Sequence, residues 1–225
     1  GMYPEYHKVW EDDALNVVAI FGKAKEDGGQ NDVGAEGFVD FANLVVAELG
    51  EALVETEPEA LREGLDSGST RVVVRGALSD GKSVNVHIFL IESVNRAPSS
   101  FWSAYEDLTA KADYIIYNGH SGLGANIRTL ARRGRWDTGQ YVIVFMNGCD
   151  TYAYVDDALY AAHRDVNPDD EVGTRYVDLV TNAMPAYFSD MIEASMALTQ
   201  ALADPQNPKT YDEIFANIAK QQLVL

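Results

Sequence analysis

Two short stretches carry the residue types that could do chemistry: Asp113-Tyr-Ile-Ile-Tyr-Asn-Gly-His120 and Gln140-Tyr-Val-Ile-Val-Phe-Met-Asn-Gly-Cys149. Each is a run of apolar and β-branched residues that stops at Asn-Gly. The first then delivers an imidazole, the second the chain's one thiol. A thiol attacks as thiolate, and an imidazole within hydrogen-bond reach can hold it deprotonated and later protonate a leaving amine. Short apolar runs that end in a glycine turn read as strands buried on both faces of a sheet. With a helix-like segment between them they become parallel neighbours whose carboxyl ends share one edge, where open α/β sheets keep their sites. The pattern predicts His120 and Cys149 side by side, with the amides that follow the strand ends free to stabilise an oxyanion.

The rest of the chain supplies elements to hold that edge. Residues 1–15 have no period and read as a lead-in, with residues 16–225 as a single α/β domain. Asn16 to Phe21 reads as a first buried strand, followed by a polar, glycine-rich loop from Lys23 to Gly37. Phe38, Phe41, Ala42, Val45, Val46 and Leu49 recur at helical spacing, so a helix is expected up to Gly50 and on to Leu53. A second short helix is expected to start at Pro58. Thr70 to Leu78 and Ser83 to Ile91, joined through Asp80-Gly81, form a hairpin whose second arm becomes wholly apolar, as a strand entering the central sheet does. Ser100 to Ala112 reads as a helix capped by a serine pair. Asn126 to Arg133 reads as a basic amphipathic helix closed by Gly134. After a helix and loop within 152–173, Arg175 to Val180 is a further strand that runs on into Thr-Asn-Ala. Pro185 is expected at the start of the next helix, and Tyr211 to Lys220 as the last. This order argues a three-layer α/β sandwich with a mainly parallel central sheet plus a β-hairpin.

Composition narrows the partners. The 225 residues are 47% hydrophobic, enough for a substantial core, and carry Lys+Arg 17 against Asp+Glu 35, a formal charge of −18. That charge disfavours nucleic acid and anionic lipid as partners. One cysteine excludes an internal disulfide and a multi-cysteine zinc site. No apolar run is long enough to span a bilayer. Gly1 ahead of Met2 reads as a cloning remnant, so a removed targeting segment is compatible with the sequence and localisation stays open.

With its strand-ending Ile-Tyr-Asn-Gly-His120 followed by strand-ending Phe-Met-Asn-Gly-Cys149, the chain resembles the caspase, gingipain and legumain group of cysteine peptidases. The similarity covers the sheet core from Asn16 to Asn182 in layout and two short segments in motif. It implies a caspase-like fold and a cysteine endopeptidase acting on a peptide or protein substrate, without metal or organic cofactor. In that reading Cys149 is the nucleophile, His120 the acid/base, and the backbone N–H groups of Ser121 and Cys149 the oxyanion donors. The family's glycine after the histidine is Ser121 here, with Gly122 one later. The residue two before the cysteine, which lines the primary specificity pocket in the family, is the neutral Asn147. Asp150 is a candidate for attracting a basic substrate side chain, and Lys23 or Lys25 an acidic one.

Other readings compete. Cys149 taken alone is a small buried hydrophobe, and only its pairing with His120 favours a nucleophile. A caspase-fold domain without catalysis, serving as a binding or regulatory module, is the alternative function. Gly119-His-Ser121-Gly-Leu123 begins like the nucleophile elbow of a serine esterase, but its fifth position is leucine. Gly122-Leu-Gly124 lacks the third glycine of a dinucleotide-binding turn. His7 and His87 read as structural, and His163, within an acidic segment, as solvated.

Overall fold

The structure is a computed structural model that describes residues 1–29, 31–59, 61, 68–219 and 222–225. Among these, seven strands form one sheet in the order β2-β3-β4-β1-β5-β6-β7. They are β1 (Ala14–Gly22), β2 (Leu53–Glu57), β3 (Arg71–Ala77), β4 (Ser83–Ile91), β5 (Tyr114–Asn118), β6 (Val142–Asn147) and β7 (Val177–Thr181). β4, β1, β5, β6 and β7 pair in parallel, while β3 is antiparallel to both β2 and β4. The Asp80-Gly81 hairpin is present, and its second arm enters the centre of the sheet beside β1.

Period-two alternation sends successive side chains to opposite faces, and both faces are covered. Val17, Ala19, Phe21, Ile116 and Phe145 pack under α2 (Val33–Leu49) and α6 (Phe188–Ala203). Val18, Ile20, Ile115, Tyr117 and Val144 pack under α3 (Ser99–Thr109), α4 (Ala125–Arg133) and α5 (Ala158–Val166). The result is a three-layer α/β sandwich. β1 sends its chain to the helices of one face and β5 to those of the other, so a crevice opens at their carboxyl ends. Among the described residues no helix is long and apolar enough to cross a membrane.

Several local expectations change. The lead-in contains α1 (Tyr6–Val9), and its neighbour Trp10 is buried, with Nε1 donating to the Leu202 carbonyl at 2.9 Å. The loop after β1 ends at Asp32, because α2 begins at Val33 rather than after Gly37. Leu53 opens β2 instead of extending the helix, after a single 3-10 turn at Gly50–Ala52. Ser99 and Ser100 lie inside α3, whose cap position is Pro98. Pro185 precedes α6, which starts at Phe188. The last helix, α7, covers only Tyr211–Ile214. Most of the short helix expected from Pro58, and Lys220 at the end of the final one, lie outside the described residues.

Candidate active site

β5 and β6 are paired in register up to Asn118 and Asn147, so His120 and Cys149 each follow two residues beyond a matched pair. The match extends past the strands, where the Gly119 N–H donates to the Asn147 carbonyl at 3.2 Å. Gly148 then passes close to the neighbouring turn: a Cβ there would lie 2.5 Å from the Gly119 carbonyl oxygen and 3.5 Å from the Ser121 nitrogen. Only glycine permits that approach.

His120 is exposed, and its Nε2 lies 2.9 Å from the carbonyl oxygen of Ala24 in the loop after β1. A carbonyl only accepts, so Nε2 carries the proton and the neutral ring keeps its lone pair on Nδ1. The His120 carbonyl is fixed in turn by the Tyr117 hydroxyl at 2.8 Å and the Asn126 amide at 2.9 Å. Ala24 is held by Asp32, whose carboxylate accepts from the backbone N–H groups of Ala24 (2.8 Å), Lys25 (2.9 Å), Gly34 (2.9 Å) and Ala35 (3.3 Å). Burial pushes the Asp32 carboxyl up, but together these four donors outweigh it and hold it below its usual range. Asp32 thereby caps α2 and fixes the carbonyl that orients His120.

Cys149 is half-buried, and its thiol donates to the Ala186 carbonyl at 3.3 Å. No hydrogen bond joins Cys149 to His120. Both nevertheless meet the start of α6 and the connection before it, since the His120 ring stands edge-on to Phe188 with centroids 5.1 Å apart. The sequence therefore brings imidazole and thiol to one wall, with the thiol turned to a backbone acceptor.

The two candidate oxyanion donors are unclaimed: neither the Ser121 nor the Cys149 N–H donates to any described residue. Asn182 Nδ2 lies 3.3 Å from the Gly148 carbonyl oxygen. The Gly148–Cys149 peptide is trans, so the Cys149 N–H points away from Asn182.

The specificity candidates fare differently. Asn147 is wholly buried and does not face a pocket. Its Nδ2 donates to Asn118 Oδ1 (2.8 Å) and the Met191 carbonyl (2.8 Å), and its Oδ1 accepts from Asn182 Nδ2 (2.7 Å). Ser195 Oγ donates to Asn118 Oδ1 at 2.8 Å and completes a buried network that ties β5, β6 and the end of β7 to α6. Lys23 turns its ammonium onto the Gly28 carbonyl at 2.8 Å, within its own loop. Asp150 is half-buried in the left-handed region at φ 51°, with no partner for its carboxylate among the described residues and no cap to the turn that follows. Lys25 is exposed. His163 is buried against Trp136 rather than solvated. Among the described residues no group of three His, Cys, Asp or Glu side chains could hold a metal ion.

Asp32, Tyr117, Asn126 and Asn182 are positioning residues that sequence reasoning missed. Two of them left a trace. Asp32 directly precedes the helix as an N-cap aspartate does. Asn182 repeats, just after β7, the asparagine that closes both β5 and β6.

No family model matches the chain, and no curated protein matches it. A crystal structure of a bacterial selenocysteine-specific elongation factor is similar to it at a TM-score of 0.29 and 10% identity, over 92% of this chain and 29% of that one.

Proposed function

We propose that this chain is a cysteine endopeptidase of caspase-like layout, with Cys149 as nucleophile and His120 as acid and base. What carries this reading is one juxtaposition. A thiol and an imidazole with its Nδ1 lone pair free follow matched strand ends and meet the same wall, beside two amides that no group among the described residues occupies. In the reaction Nδ1 takes the thiol proton and the sulfur adds to the substrate carbonyl carbon. The developing oxyanion is held by the Ser121 and Cys149 N–H groups. The carbon–nitrogen bond then breaks as the imidazolium returns the proton to the leaving amine. Water, deprotonated by the same nitrogen, releases the acid from the thioester and restores the thiol. Before the first step the thiol must rotate away from Ala186.

That rotation motivates the second reading, a caspase-fold binding module without catalysis, which the thiol's bond to Ala186 in place of His120 favours. Digestion of a mixed peptide pool, followed by mass spectrometry, separates the two. The peptidase reading expects cleavage that is lost in Cys149→Ala and retained in Ser121→Ala. Cleavage lost only in Ser121→Ala would mark an esterase-type serine nucleophile, and no cleavage would favour the binding module.

A further inference from the structure

Four large apolar side chains stand in solvent on the two loops that carry the dyad and on the connection from β7 to α6. Leu123, three residues after His120, is 80% exposed, and Tyr152, three after Cys149, is 62% exposed. Met184 and Tyr187, on the connection from β7 to α6, are 49% and 60% exposed. Two of these loops are joined beside the thiol: the Asp150 N–H donates to the Met184 carbonyl at 3.2 Å and the Tyr152 N–H to the Asn182 carbonyl at 3.0 Å. Tyr187 lies between Ala186, whose carbonyl takes the thiol, and Phe188, whose ring meets His120. Apolar surface left in water is unfavourable. Exposed apolar side chains gathered on neighbouring loops are a candidate binding surface.

The charges nearby argue against an acidic substrate side chain. Lys23 is already held by Gly28, and the position two before the thiol is the sealed, neutral Asn147. The Asp150 carboxylate has no partner among the described residues, and the chain's formal charge is −18, both of which repel an acidic peptide. We propose that the site takes peptide segments bearing a large apolar side chain beside the carbonyl that Cys149 attacks. This assignment rests on the peptidase reading above.

The test uses the full chain and internally quenched peptides that differ at one position, occupied by Phe, Leu, Asp, Lys or Asn. Phe and Leu peptides should exceed Asp and Lys peptides in kcat/KM by at least about tenfold. Tyr187→Ser should collapse that ratio, while Tyr187→Phe should keep it, with circular dichroism confirming that both fold. A preference for Asp or Lys overturns the apolar assignment and leaves the peptidase reading standing. Where wild type cleaves none of the peptides, fluorescence polarisation with Cys149→Ala decides. Selective binding of the Phe peptide supports the apolar surface and removes only hydrolysis, whereas no binding overturns both. A dimer seen by sedimentation that dissociates in Tyr187→Ser, without any peptide preference, makes the patch a self-association face and overturns the assignment.

Discussion

Gly148 is where the candidate site has least tolerance. A methyl group there would meet the Gly119 carbonyl at 2.5 Å, a backbone atom that cannot swing aside. Moving it displaces the turn that carries His120 and the Ser121 amide. Gly148→Ala should therefore cost about 1–3 kcal/mol in urea unfolding and lower kcat more than KM, because it separates the two oxyanion donors. An unchanged stability would mean that the two turns are not packed as described. His120 and Cys149 were legible because an apolar run followed by Asn-Gly announces a strand end, and the motif occurs twice. Their supports were less so. Ala24 contributes only a carbonyl, and a backbone atom has no residue type to recognise. Asp32 acts on backbone amides of its own loop and of the helix it caps, which again have no residue type to recognise, and Asn182 reaches Asn147 and Gly148, which only the pairing of β6 with β7 brings near.

At the level of elements, the buried amide network decides what Asn147 does. It links β5, β6 and α6 through bonds to Asn118, Met191 and Asn182, and β6 carries Cys149 two residues on. Asn147→Ala removes three buried hydrogen bonds at once, to Asn118, Met191 and Asn182, each worth about 1 kcal/mol net. The expected outcome is a loss of about 3 kcal/mol or more in denaturant melts, with no switch in peptide preference. A stable variant with altered preference would instead return Asn147 to a pocket wall. β1, the hairpin, β5 and β6 were readable because fully buried strands and Asp-Gly turns leave strong compositional marks. β2 was not, since Leu53 to Glu57 is a mostly exposed edge strand that continues an apparently helical run. The start of α2 was hidden by glycines that resemble a loop. Gly34 presses against the Gly22 carbonyl, so that glycine lets the helix pack tightly on the end of β1.

For the whole molecule, two buried groups outside the candidate site, His163 and Asp113, contribute to how stability changes with pH. His163 follows Leu159 by one helical turn on the inward face of α5, which is why an acidic segment hides a buried imidazole. Burial lowers its pKa from the ordinary 6.5 to about 4, against the pull of Asp170. The folded value lies below the unfolded one, so stability is full above pH 6.5 and falls as the pH drops toward 4, by about 2–3 kcal/mol at about 1.4 kcal/mol per pH unit. Asp113 works in the opposite sense. Burial raises its carboxyl to about 8, so its contribution weakens as the pH rises from about 4 to 8. Comparing His163→Leu with wild type isolates the imidazole. Between neutral pH and about pH 4.5 the variant should gain about 2–3 kcal/mol relative to wild type in urea unfolding, whereas a constant difference would place a water or other partner on the ring. The fold unites these parts by bringing the ends of β1, β5 and β6 to one edge, and the meeting of thiol and imidazole there is the claim on which the functional reading depends. Its most direct test is the rate at which iodoacetamide alkylates Cys149 at about pH 6 to 7, read by intact-mass spectrometry in wild type and His120→Ala. Labelling of wild type at least about tenfold faster than a free cysteine peptide, falling to the free rate in the variant, is the predicted result. Labelling no faster than the free peptide, and indifferent to His120→Ala, would contradict the dyad.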